Sequence, residues 1–192
     1  MILLASGESP ELETYIRQLG VECRYAALEY GDCTFTGNGP DGEAGIGFER
    51  KRLSDLITSM QNRRLSGHQL RGCWQAYDFV YLVAEGIWRE GDGGEIEELR
   101  GKEFRSFFSN GPGRSAVSYE QLDHYLCTLE LKGNVIVHRT KDARATARFY
   151  VSRWKWFNQK RWEEHHSHDQ LYTGLPIKAH GTDWGKPHEH DV

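Results

Sequence analysis

Apolar residues fall along the chain in short runs and in helical stripes that succeed one another, and this alternation lays out the elements. Ile2 to Ala5 is a short apolar run that fits a buried strand. Ser9-Pro10-Glu11 follows with a cap, a proline at the first helical position and an acid in the first turn. Leu12, Ile16 and Leu19 then share one helical face before Gly20 closes it. Val21 to Tyr30 reads as a second extended segment, Cys33 to Thr36 as a third strand and Gly45 to Glu49 as a fourth. Between the last two, the turn-forming run Gly37-Asn38-Gly39-Pro40-Asp41-Gly42 predicts an antiparallel hairpin.

After Lys51 the period changes. Leu53, Leu56, Ile57 and Met60 stand at helical spacing, and Leu70, Cys73, Trp74 and Tyr77 make a further helix. Phe79 to Ala84 is a continuous apolar run suited to a strand covered on both faces. From Glu90 to about Gly113 the chain is acidic and glycine-rich with little periodicity, and reads as an excursion with one short strand. Ser118-Tyr119-Glu120-Gln121 fits a capping box, continued as a helix by Leu122, Leu126 and Leu129. Val135 to Val137 is the last strand, and Thr140 is expected to cap a long helix that turns Ala143, Ala147, Tyr150, Val151 and Trp154 inward. Strands and helices in this order give an α/β fold, a mixed central sheet flanked by helices, over residues 1–160. Residues 161–192, rich in His, Asp, Gly and Pro, are expected to form a tail.

The chain's 192 residues suffice for one domain with a real core. No apolar run approaches the roughly 20 residues that span a bilayer, so a membrane is not an expected partner and a cytoplasmic, intracellular protein is. Cys23, Cys33, Cys73 and Cys127 are scattered without a C-x-x-C pair and read as reduced, mostly buried residues. The net charge of -4 hides a segregation. Glu49 to Arg71 carries six Lys/Arg against two acids and Glu130 to Arg161 nine against two, whereas Glu85 to Glu103 has seven acids against three bases. One face can therefore attract a polyanion while the whole remains acidic.

Candidate chemistry gathers where the fourth strand gives way to a helix. Glu49 and Lys51, two apart on a strand, lie on one face, with Arg50 on the other. Gly31-Asp32, at the start of the neighbouring strand, brings a second carboxylate to the same end. Two carboxylates, waters and a substrate phosphate make a typical Mg²⁺ environment, and a lysine beside them can orient water or balance transition-state charge. Asp55 stands four residues after Lys51 and can pair with it if the helix has already begun.

Gly31-Asp32, a hairpin, and then Glu49-Arg50-Lys51-Arg52-Leu53-Ser54-Asp55 resembles the XPF-type structure-specific endonuclease domain, a branch of the restriction-endonuclease-like fold. That family's motif, Gly-Asp followed by Glu-Arg-Lys-x-x-x-Asp, is matched completely. Arg64-Leu65, Gln69, Tyr81 to Gly86, and His138-Arg139-Thr140 with Ala145-Thr146-Ala147 extend the resemblance over most of residues 1–160, as in short stand-alone versions found in phages. It implies Mg²⁺- or Mn²⁺-dependent cleavage of DNA at branched, flap or junction structures, with Asp32 and Glu49 as metal ligands and Lys51 catalytic. The family also places Asp-x-Arg-Glu at the end of the first strand, where this chain has Ala5-Ser6-Gly7-Glu8. Glu8 matches the Glu and is a third candidate ligand; the Asp is absent, and its absence motivates the alternative of a DNA-binding or scaffold protein of the same fold with weakened catalysis. The helix-hairpin-helix domain of larger relatives has no counterpart in the sequence, and homodimerisation is left open.

Arg50, Asp55, Gln69 and Glu85 are candidate supporting residues, and Arg52 and Arg64 candidate DNA contacts. Phe149, Arg153, Trp156 and Lys160 share a face of the last helix beside Arg144, Arg148 and Lys155. They either stack on unpaired bases and hold phosphates, or form a dimer interface or core. The histidines from His165 to His190 could hold a transition metal, but without cysteine partners or strict spacing a solvated tail is favoured.

Overall fold

The computed structural model describes residues 1–62, 65, 69–108 and 116–165. Its elements are β1 (Ile2–Ala5), α1 (Pro10–Gln18), β2 (Cys23–Ala26), β3 (Cys33–Gly39), β4 (Gly42–Arg52), α2 (Leu53–Gln61), α3 (Leu70–Ala76), β5 (Phe79–Glu85), β6 (Trp88–Glu90), β7 (Ile96–Arg100), β8 (Glu103–Ser106), α4 (Tyr119–Leu131), β9 (Ile136–Thr140) and α5 (Ala143–Gln159). Six strands form one mixed sheet in the order β2-β1-β3-β4-β5-β9. β1 pairs parallel with β2, and β4, β5 and β9 run parallel to one another, while β3 is antiparallel to both of its neighbours.

Each face of the sheet carries its own apolar core. Phe35, Ile46, Phe48, Tyr81 and Val83 pack with Leu12 and Ile16 of α1 and Ala147, Tyr150 and Val151 of α5. On the opposite face Val80, Leu82 and Ala84 meet Leu53, Leu56 and Ile57 of α2, Leu70 and Cys73 of α3, and Leu122 and Leu129 of α4. β5 supplies alternate side chains to both cores, and this two-sided burial is why its sequence is an unbroken apolar run.

The hairpin is longer than its turn-rich sequence suggests. β3 and β4 stay paired to Gly39 and Gly42, leaving only Pro40-Asp41 as the turn, with Gly42 at φ +118°. The glycines serve close packing here: a Cβ on Gly37 would lie 2.6 Å from Phe157 Cβ. Asn38 Nδ2 donates to the Lys160 carbonyl (2.8 Å) and Asn158 Nδ2 to the Thr36 carbonyl (3.1 Å), bracing the hairpin tip against the end of α5.

The acidic excursion contains two strands, not one: β7 and β8, with β6 just ahead of them, form a separate antiparallel sheet. One cross-strand charge pair and a cation-π contact link its strands where apolar alternation is absent. Arg89 Nε donates to Glu97 Oε2 (2.8 Å) and its guanidinium covers the Phe104 ring at 4.1 Å. α5 is capped by Asp142, whose Oδ1 accepts from the Ala145 N–H (2.7 Å), rather than by Thr140, which ends β9. Trp74 is exposed and Tyr77 stands just past the end of α3, so the stripe expected there buries only Leu70 and Cys73. Packing continues past α5, where a 3-10 turn at Trp162–Glu164 sets Trp162 against the Phe79 ring at 5.6 Å.

Candidate active site

The last residues of β4 present their side chains to opposite faces of the sheet. Arg50 follows Phe48 toward α1 and α5, while Glu49 and Lys51 lie on the side of Cys73 and α3. The Lys51 ammonium donates to Glu49 Oε1, and both side chains are largely removed from water.

Asp32 reaches the same place from the neighbouring strand. Its N–H donates to the Phe48 carbonyl (2.7 Å), its carbonyl accepts from the Ala5 N–H (2.9 Å), and its Oδ2 accepts from the Arg50 N–H (2.7 Å). The residue before it, Gly31, has φ +80°, the left-handed region that favours glycine. Tyr77 secures this bend, since its hydroxyl donates to the Tyr30 carbonyl (2.7 Å) and its ring lies over Gly47, where a Cβ would approach within 2.0 Å.

Arg50 is the hub of the other face. Its Nε and one terminal nitrogen donate to both oxygens of Glu85 (2.9 and 2.7 Å), and its other terminal nitrogen donates to Glu8 Oε2 (2.8 Å). Glu85 Oε2 also accepts from the Thr146 hydroxyl of α5 (2.7 Å), which shares a 2.7 Å contact with the Thr140 hydroxyl. The Tyr150 hydroxyl is buried in this neighbourhood without a hydrogen-bond partner among the described residues.

Burial pushes the Asp32 carboxyl above the usual range, opposed by the Arg50 N–H and by the charges of Lys51 and Arg50. Burial also raises Glu49, and the neighbouring Asp32 charge raises it further, against the pull of Lys51. Burial is again the main cause for Glu8, partly offset by Arg50. Desolvated acids that repel each other attract a cation. Asp32 Oδ1 and Glu49 Oε2 have no hydrogen-bond partner among the described residues, and a hard cation that keeps several waters needs only one or two carboxylates. The pair therefore suits Mg²⁺ or Mn²⁺, although among the described residues no three His, Cys, Asp or Glu side chains form a ready-made cage.

Gly7, Glu8, Ser9, Asp32, Arg50, Arg52 and Asp55 line a cleft of about 330 Å³. The exposed Arg52 side chain lies 3.8 Å from Glu85. Asp55 has no ion-pair partner among the described residues: β4 continues through Arg52, so Lys51 precedes the helix and pairs with Glu49 instead. Gln69 stands at the start of α3 with its Oε1 buried and unpartnered among the described residues. Arg64 and the histidines beyond His165 lie outside the described residues.

The cations of α5 are spread around that helix. Arg144 and Arg148 line a separate recess with Tyr15, Gln18 and Leu19, and Lys155 is exposed. Arg153 is half-buried over the Phe149 ring at 5.4 Å, and Phe149 is a core residue stacked on His138 at 3.7 Å. Trp156 is 37% exposed and stacks on His165 at 3.8 Å. Thr146 hydrogen-bonds to the acidic centre from this helix, with the Tyr150 hydroxyl buried nearby. Sequence reasoning gave no role to Thr146, which it used only for the family resemblance, or to Tyr77, and it missed the meeting of Arg50 with Glu85; a polar residue inside an otherwise apolar helix face was a further signal at Thr146.

Comparison with solved structures defines the class first. XPF from Aeropyrum pernix superposes with a TM-score of 0.57 at 21% identity, covering 81% of this chain and 63% of that one, less than two thirds of its length. XPF from the same organism in complex with DNA also gives 0.57, at 19% identity over 91% of this chain and 74% of that one. The fold is that of the XPF nuclease, a mixed sheet flanked by helices. The ERCC4 domain family matches residues 5–152, and the chain belongs to that family. No curated protein matches the sequence significantly.

Proposed function

We propose that the protein is a divalent-metal-dependent DNA endonuclease that hydrolyses phosphodiester bonds at branched, flap or junction structures. The observation that carries this reading is the convergence of Asp32, Glu49 and Lys51, two desolvated carboxylates beside an ammonium, at one end of the β3–β4 hairpin of an ERCC4 domain. The XPF fold and the DNA bound by the Aeropyrum protein support DNA as the substrate. Asp32 and Glu49 would hold Mg²⁺ or Mn²⁺, with Glu8 next to them. Such an ion supplies Lewis-acid stabilisation of the charge that builds on the phosphate and the leaving oxygen. Lys51, steered by Glu49, orients the attacking water and balances that charge. Arg52, exposed at the cleft, and Arg64, Arg144, Arg148, Arg153, Lys155 and Trp156 are the proposed DNA contacts, in line with the two basic stretches of an acidic chain. A cytoplasmic site of action belongs to the same reading, which leaves homodimerisation open; among the described residues no helix is long and apolar enough to cross a membrane.

Flap, fork, junction and plain duplex substrates incubated with Mg²⁺ or Mn²⁺ test it. Wild type is expected to cut a branched substrate, and Asp32→Ala or Lys51→Ala to slow the cut by about 10²- to 10⁴-fold. Intact substrates with wild type, in both metals and all structures, would sink the proposal. One observation favours a second reading, a DNA-binding scaffold with weakened catalysis: Glu8 Oε2 is taken by Arg50, which leaves two carboxylates with better access to a metal. That reading expects salt-dependent DNA binding indifferent to Asp32→Ala, and no cleavage.

A further inference from the structure

We infer that Thr146 is a positioning residue for the metal-binding carboxylates, acting from α5 through Glu85 and Arg50; this inference rests on the metal-dependent reading above. The chain of contacts is continuous and buried. Thr146 is fully buried, and the side chains of Glu85, Arg50 and Glu8 are 7%, 9% and 8% exposed. Proton bookkeeping fixes its direction. Ionised Glu85 can only accept, so the Thr146 proton goes to Glu85 Oε2, and Thr146 in turn accepts the proton of Thr140. Glu85 is thereby held by three donors, two from Arg50 and one from Thr146. Its fixed plane dictates the plane of the Arg50 fork, since paired guanidinium and carboxylate groups meet in a defined geometry.

That plane reaches the candidate site through the free arm of Arg50, which holds Glu8 Oε2 at 2.8 Å in the cleft that Asp32 also lines. The Arg50 N–H that donates to Asp32 Oδ2 at 2.7 Å is set by the β4 main chain. Thr146 touches neither acid, yet it supplies the one hydroxyl donor to Glu85 among the described residues. Replacing it with valine keeps the shape, deprives Glu85 Oε2 of a donor and leaves the Thr140 hydroxyl without its acceptor. Groups bonded directly to metal ligands set metal affinity by about 10- to 100-fold without touching the metal, and Thr146, which stands further out, is expected at the lower end.

The test compares wild type, Thr146→Val and Thr146→Ser in the full chain. Mn²⁺ affinity is measured by calorimetry on the protein without DNA, and cleavage of a flap substrate is followed across a Mn²⁺ titration, with thermal melting as the check on folding. Thr146→Val is expected to bind Mn²⁺ about 10-fold more weakly and to need correspondingly more metal for half-maximal cleavage. Thr146→Ser is expected to recover most of the affinity, because the hydroxyl rather than the methyl group is at work. Equal Mn²⁺ affinity in Thr146→Val and wild type, or a loss that Thr146→Ser does not recover, overturns the inference, as does a wild type that binds no Mn²⁺. A wild type that binds Mn²⁺ but cuts nothing defeats the endonuclease reading instead, and the affinities still decide the role of Thr146.

Discussion

The two faces of β4 hold the same kinds of group in opposite conditions. On the α1–α5 face Arg50 is matched by Glu8, Glu85 and the hydroxyl of Thr146, so its three nitrogens and both Glu85 oxygens are engaged. On the other face Glu49 shares one lysine, and the Asp32 carboxylate beside it accepts a single backbone N–H, although both are desolvated. A network this fully engaged acts chiefly as support, with Glu8 its one acid at the cleft, whereas an under-satisfied pair of acids is poised to take a ligand. One strand thus separates scaffold from reactive surface by a single residue step.

Removing Arg50 should break the comparison most severely. Arg50→Ala leaves Glu8 and Glu85 buried without their cation and is expected to cost about 3–5 kcal/mol in urea unfolding. Arg50→Lys should recover little, because an ammonium cannot bridge three carboxylate oxygens in the planar geometry of the fork.

A smaller effect of opposite sign is expected at Asp32. Burial raises the folded carboxyl above its ordinary 3.8, so its stabilising contribution is complete below that value and is lost as pH rises through the higher folded one. At neutral pH the ionised group therefore burdens the metal-free fold. Asp32→Asn should raise metal-free stability by about 1 kcal/mol and flatten its pH dependence, while removing the rise in Tm that Mg²⁺ is expected to give wild type. A variant less stable than wild type at pH 7 would contradict the picture of a repelling, desolvated pair.

The smallest change is expected at Tyr77, where Tyr77→Phe keeps the ring over Gly47 and removes only the bond to the Tyr30 carbonyl. A loss of about 0.5–1.5 kcal/mol is expected from denaturant melts. Any larger loss of cleavage than of stability would show that the Gly31 bend aims Asp32.

How much of this was legible follows from sequence distance. Glu49, Arg50 and Lys51 lie on one strand, so period two alone assigns their faces, and Gly31-Asp32 is tied to them by a hairpin whose turn residues announce themselves. The eleven strands and helices of the main body were readable for the same reason. Glu85 meets Arg50 only because β5 runs parallel to β4 with Arg52 opposite Glu85, and a parallel register leaves no local trace in the sequence. Thr146 arrives from further still, through the packing of α5. The β6–β8 sheet escaped because its strands are linked by Arg89, through Glu97 and the Phe104 ring, and such contacts do not alternate as apolar positions do.

The hairpin that joins Asp32 and Glu49 also says which changes in length the site can survive. The acids sit at its open end, beside the rung where Cys33 faces Phe48, and the turn at Pro40-Asp41 closes the other end. Residues added in pairs at that turn extend the ladder outward and leave both acids where they were. A single residue inserted between Phe48 and Arg50 would exchange inside for outside along the rest of β4, sending Lys51 toward α5 and Arg50 toward α3. Length variation is thus insulated from chemistry at one end of the same two strands and incompatible with it at the other.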